Sequence, residues 1–334
     1  MDQYFDTKIY LMKRIAPSAL GLKRQTRSAS LCEDYSHADR AVLPRSLAFV
    51  ALGIDPCLER RQTSNSYYSI NRALSHMFSE FFRFETGAVS HTGHAREHNE
   101  DNFLTEPDSG LWVVADGMGG HEGGDYASGA IVTHLQSVGR PSSAPDLQAR
   151  FVERLQRANG QIQNRAHEIG ATIGSTVVAL LAFEQHFACV WSGDSRIYLI
   201  RDGQIRQLSR DHTEANELLD RGVISEQQAE TWHRKNVITR AVGASTEVQI
   251  DQKYGTLRNR DTFILCSDGL NAHVEDAEML DVVRKHQPQR ACEILLDLTL
   301  ERGASDNTTV LVVRVFDKTE TGGTTNVFDL PRGR

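Results

Sequence analysis

The chain has 334 residues, 40% of them hydrophobic, and a formal net charge of −7. That length suits one large domain with an appendage, and the composition excludes collagen-like and wholly disordered chains. The negative balance argues against a protein that coats nucleic acid or an anionic membrane.

Residues 1–76 carry 11 Lys and Arg against 7 Asp and Glu, leaving 26 against 37 to the later residues, so the acidic surplus belongs to the later region. The first 76 residues show no sustained period of 2 or 3.6. They read as part of a largely disordered extension, 1–84, or as sequence upstream of a true start at Met77. From Phe84 the texture changes to short apolar strands and amphipathic helices. Strands are expected at 111–115, 175–183, 187–191, 197–201, 262–266 and 308–316, and helices at 125–138, 146–169, 215–221, 276–285 and 289–302. Asp202-Gly203 signals a tight hairpin, because both turn positions favour positive φ. Ser225-Glu226-Gln227-Gln228 reads as a capping box opening a further short helix. Runs of strands with long helices between them indicate sheets covered by helices rather than a Rossmann alternation. The Gly/Thr-rich tail, 318–334, reads as disordered.

The five cysteines, Cys32, Cys57, Cys189, Cys266 and Cys292, have no Cys-x-x-Cys spacing, so reduced thiols in a cytoplasm are the simplest reading. The apolar run 47–54 is far shorter than the ~20 residues of a membrane-spanning helix. The acidic opening hexapeptide lacks the bases of a targeting signal.

Carboxylates recur at strand ends and in Gly-rich turns: Asn99-Glu100-Asp101, Asp116-Gly117-Met118-Gly119-Gly120, Gly193-Asp194, Ser267-Asp268-Gly269 and Ser305-Asp306-Asn307. The apolar runs before Asp116 and Asp268 would carry each acid from a buried strand to the rim of a sheet. Acids gathered there repel one another and lose hydration, which raises their pKa unless a cation compensates. All-oxygen sites suit Mg²⁺ or Mn²⁺. Paired ions can activate a bridging water for in-line attack on phosphorus, with Arg96 gripping phosphate oxygens. Singly, each motif is an ordinary turn.

Taken in order, segments 90–101, 114–120, 174–176, 192–196, 238–243, 267–270 and 305–307 resemble the bacterial PPM-type, or protein phosphatase 2C-like, serine/threonine phosphatases. The resemblance implies an α+β fold, a four-layer α-β-β-α sandwich of two mostly antiparallel sheets flanked by helices, over 85–317. It implies that Asp116 bridges two ions, that Gly117 offers its carbonyl, that Asp268 and Asp306 complete the first ion and that Glu100 serves the second. Asp101 would orient the attacking water, Arg96 would hold the substrate phosphate, Asp194 would serve a possible third ion, and Asn307 would support the site through hydrogen bonds. The implied partners are phosphoprotein substrates of a cognate kinase, met by a cytoplasmic monomer. Two positions depart from the family. His91 stands where Asp is usual, and Met118 replaces the His of the eukaryotic-type Asp-Gly-His-Gly-Gly; His121 reads first as a surface histidine, with His121 or a metal-bound water as candidates for the missing general acid. Residues 209–236 resemble the bacterial flap, an insertion expected to govern substrate choice, with Arg210 and His212 read as solvated loop residues. A silent phosphoprotein binder, a partner-switching phosphatase and a small-phosphomonoester hydrolase are the alternatives.

Overall fold

A computed structural model describes residues 82–119 and 123–318. Residues 1–81 of the expected extension 1–84, the tail from 319, and His121 lie outside them; residues 82–84, placed in that extension, instead open the first strand, where Phe82, Arg83 and Phe84 pair with Asp317, Phe316 and Val315.

Among the described residues eleven strands form two sheets. One has the order β1 (Phe82–His91), β11 (Thr308–Asp317), β10 (Thr262–Cys266), β7 (Arg196–Arg201), β8 (Gln204–Gln207). The other has the order β2 (Asp101–Glu106), β3 (Leu111–Met118), β5 (Val177–Phe183), β6 (His186–Ser192), β9 (Asp251–Thr256), with the two-residue β4 (Gly174–Ser175) also on β3. All these pairings are antiparallel.

The uninterrupted apolar run of β3 reflects burial on both faces. Leu111, Val113 and Ala115 point into a cluster with Ile131 and Leu135 of α1 (Gly123–Gln136) and Phe151 and Leu155 of α2 (Ala144–Ile169). The alternate residues Trp112 and Val114 enter a second cluster between the sheets, with Leu199, Phe263, Leu265, Leu311 and Val313. Intervening residues of those strands, Tyr198, Ile264, Val310 and Val312, face a third cluster with α6 (Asp276–Lys285) and α7 (Pro288–Glu301). Strand period 2 thus sorts one sequence into three apolar layers, and the result is the four-layer sandwich.

The remaining helices are short: α3 (Glu214–Asp220) and α4 (Glu226–Glu230) between β8 and β9, and α5 (Asp268–Asn271) after β10. Asp202 and Gly203 both have positive φ, 53° and 75°, joining β7 to β8 as a tight hairpin. Ser225 and Gln228 form the reciprocal capping box. The expected strand 175–183 is instead broken at Thr176, whose N–H donates to the Asp116 carbonyl at 2.8 Å while its Oγ1 accepts the Asp116 N–H at 3.1 Å.

Candidate metal-assisted phosphatase site

β2 and β3 pair so that Asp101 lies directly opposite Asp116 at the end of the sheet. Gly117 donates its N–H to the Glu100 carbonyl at 3.1 Å. A Cβ at Gly117 would meet the Gly124 carbonyl oxygen at 2.1 Å, and one at Gly124 would meet Glu100 Cδ and Oε1 at 2.6 Å. Both glycines are therefore required for the start of α1 to pack against the Glu100 carboxylate. From the other sheet, β10 delivers Asp268 and the turn before β11 delivers Asp306. Asp268 comes close enough to Asp116 for the two carboxylates to interact, and Arg96 Nη2 donates to Asp306 Oδ2 at 2.7 Å from an exposed loop.

Asn307 fastens that loop. Its Oδ1 accepts the Glu100 N–H at 2.8 Å, and its Nδ2 donates to the carbonyls of Thr92 and His98 at 2.8 and 2.9 Å. His91 accepts the Gly93 N–H at Nδ1, 2.9 Å, the kind of local acceptor contact an Asp side chain makes two residues on. The departure at His91 therefore keeps a turn-forming acceptor.

Electrostatically the acids behave as one cluster. Burial holds Asp116 well above the usual carboxylate range, reinforced by Asp101, Asp268, Asp194 and Asp306. Burial and the charges of Asp268 and Asp306 push Asp101 up to about 7, against the hydrogen bond from Ser267. Asp194 is also pushed to about 7, by burial and by Asp268 and Asp211. Glu100 Oε1 and Asp101 Oδ1 are two of only four buried side-chain polar atoms without a hydrogen-bond partner among the described residues. Partly buried acids that repel one another, with two buried oxygens left over, fit hard divalent cations. Among the described residues, however, no three His, Cys, Asp or Glu side chains are drawn into a closed metal cluster.

The roles of several supporting side chains were not legible in the sequence, even where they stand in its motifs. Ser267 Oγ donates to Asp101 Oδ2 at 2.7 Å and accepts the Thr309 N–H at 2.9 Å. Ser128 Oγ donates to the Glu100 carbonyl at 2.6 Å, and Thr176 and Ser195 share a hydroxyl bond of 2.6 Å. His212 is not the solvated loop residue expected. It is 6% exposed and lies with its ring nearly parallel to Trp191. Arg210 is exposed and paired with Asp220.

Two sheets sandwiched by helices, with an acidic rim and an adjoining arginine, define a PPM-type phosphatase class. The protein phosphatase 2C family model matches residues 90–295. The serine/threonine phosphatase stp of Listeria welshimeri is 34% identical over 231 residues, covering 66% of this chain and 92% of that one. PppA, described as a key regulatory component of T6SS in Pseudomonas aeruginosa, superposes with a TM-score of 0.65 at 39% identity, covering 71% of this chain and 99% of that one. The catalytic domain of the serine/threonine protein phosphatase PstP, in complex with two manganese ions, gives a TM-score of 0.64 at 31% identity over 71% of this chain and all of that one. The chain belongs to the protein phosphatase 2C family and is a phosphoprotein phosphatase of the metal-dependent serine/threonine class. Among the described residues no helix is long and apolar enough to cross a membrane.

Proposed function

We propose that this chain hydrolyses phosphoserine and phosphothreonine in phosphoproteins at the rim formed by Glu100, Asp101, Asp116, Asp268 and Asp306, within a catalytic domain spanning 85–317. The observation that carries the assignment of this rim is the clustering of mutually repelling acids with two partnerless buried oxygens. Glu100, Asp116, the Gly117 carbonyl, Asp268 and Asp306 would hold two divalent ions, with Asp194 serving a weaker third. The two manganese ions of the PstP complex make Mn²⁺ the first choice over Mg²⁺. When bound, such ions supply a water acidic enough to act as a nucleophile near neutral pH and offset charge growing on the phosphoryl oxygens.

The chain's own groups do the rest. Arg96 lies at the exposed edge with its guanidinium steered by Asp306, placed to take phosphate oxygens through its forked donors. Asp101 has one oxygen fixed by Ser267 and the other unpaired, the arrangement needed to orient an attacking water and accept its proton. Residues 209–236 form the flap, a small lobe that selects substrates. The identity with PppA makes secretion-linked phosphoproteins, substrates of a cognate kinase, the first to try. The three described cysteines are free and buried, which suits a reducing cytoplasm.

The test is Mn²⁺-dependent phosphate release from a phosphothreonine peptide. Activity should vanish with EDTA and with Asp116→Asn; a folded, Mn²⁺-loaded parent without activity overturns the reading in favour of a silent phosphoprotein binder.

A further inference from the structure

Two histidines far apart in sequence each accept the backbone N–H of the residue just before a rim acid. His212 Nδ1 accepts the backbone N–H of Gly193 at 3.2 Å, one residue before Asp194. His273 Nε2 accepts the backbone N–H of Ser305 at 3.1 Å, one residue before Asp306. A backbone N–H can only donate, so the contact fixes each ring's tautomer. His212 must carry its proton on Nε2, which lies 3.2 Å from Asp251 Oδ2; Arg240 Nη1, 3.4 Å from the same nitrogen, donates to Asp251 Oδ1 at 3.0 Å. His273 must carry its proton on Nδ1, with Ser305 Oγ also 3.1 Å from Nε2. Its carbonyl is held in turn by Arg302 Nη1 at 2.6 Å, and Arg302 pairs with Glu278.

We propose that His212 and His273 are positioning residues: neutral imidazole acceptors, in opposite tautomers, that hold the turns presenting Asp194 and Asp306. His212 does this from the base of the flap, where its own N–H and carbonyl bond to Gly193 and Thr239 at 2.9 and 2.8 Å, so the Asp194 turn is fastened to the flap's two ends. His273 does it from the segment between α5 and α6. The proposal rests on the reading of Asp194 and Asp306 as ion ligands, and residues that orient ligands in this way typically change metal affinity ~10–100-fold when lost.

Opposite tautomers give opposite rescue patterns, since an Asn amide oxygen reproduces the Nδ1 acceptor and a Gln amide oxygen the Nε2 acceptor. By calorimetry with Mn²⁺ alone, His273→Gln should bind the ions within about twofold of the parent and His273→Asn ~10-fold or more weakly. For the weakest ion the order reverses, with His212→Asn retaining it and His212→Gln losing it. Equal behaviour within each pair overturns the proposal. Asp306→Asn is the control: if it leaves Mn²⁺ affinity unchanged, the ligand reading fails instead. Nitrogen-15 spectra of the parent decide the tautomers without any substitution. An unprotonated Nδ1 at His212 and an unprotonated Nε2 at His273 are expected, and the reverse at either ring overturns the proposal even where a variant does not fold.

Discussion

Asp116 is held in place by its own backbone: its N–H and carbonyl are both taken by Thr176, while its side chain faces four other acids. Function and stability therefore pull against each other there. Asp116→Asn should lower kcat by at least ~100-fold yet raise the melting temperature of the EDTA-treated protein, because one member of a repelling, half-buried set becomes neutral. Calorimetry of the metal-free pair checks this, and a lower melting point for the variant would refute it. Gly124→Ala should act through Glu100, since the added methyl overlaps that carboxylate. Mn²⁺ affinity should fall ~10-fold or more, read by titration with manganese. The acids themselves were legible in the sequence because strand ends and Gly-rich turns mark them. Ser267 stands in one of those motifs, but its role was not legible: its partner Asp101 is 166 positions away, and a hydroxyl announces no partner until the fold brings one. The burial of His212 was hidden for the same reason, since a charged-looking loop gives no sign that Trp191 will lie against the ring.

At the scale of elements, legibility followed burial. Strands covered on both faces, such as β3, β5 and β10, stand out as apolar runs, whereas β2 and β9 do not. They are polar edge strands, Asp-Asn-Phe-Leu-Thr-Glu and Asp-Gln-Lys-Tyr-Gly-Thr, held by ladder hydrogen bonds on one side and lacking a two-sided apolar demand. The two short helices between β8 and β9 were legible, the second through its capping box. Glu214 of α3 ties the segment after α4 back to its own helix, accepting from Trp232 Nε1 at 3.1 Å and from Arg234 Nη2 at 3.0 Å. Glu214→Ala should loosen that lobe and leave the sandwich intact. A severalfold rise in KM for a phosphoprotein, with kcat on a small phosphomonoester changed less than twofold, is the expected pattern; equal effects on both substrates would show that the lobe does not select. In α2, a methyl group added at Gly160 would meet nothing within 4 Å. Gly160→Ala should therefore stabilise the protein by about 0.5–1 kcal/mol, read as an upward shift in denaturant midpoint with unchanged activity.

For the whole molecule, three apolar layers supply the rigidity that keeps like charges together at the rim, and that strain has a pH signature. Asp101 and Asp194, ordinarily ionising near ~3.9, are pushed to about 7 in the fold without metal. Between those two values the folded chain holds protons that the unfolded chain has released, so stability must fall as pH rises through that interval. Below ~4 both states are protonated and the penalty is absent. Divalent cations oppose it by favouring the ionised carboxylates, and their stabilisation should grow as the acids lose their protons. The EDTA-treated protein should accordingly melt at a higher temperature at pH 5 than at pH 8, with each kcal/mol worth roughly 2–4 °C in a domain of this size. Mn²⁺ should raise the melting temperature more at pH 8 than at pH 5. Scanning calorimetry at both pH values, with and without Mn²⁺, separates this from a general acid effect: a metal-free melting point that stays level or climbs toward pH 8 would mean that the rim carboxylates ionise without strain, and the electrostatic case for a cation-filled site would fall with it.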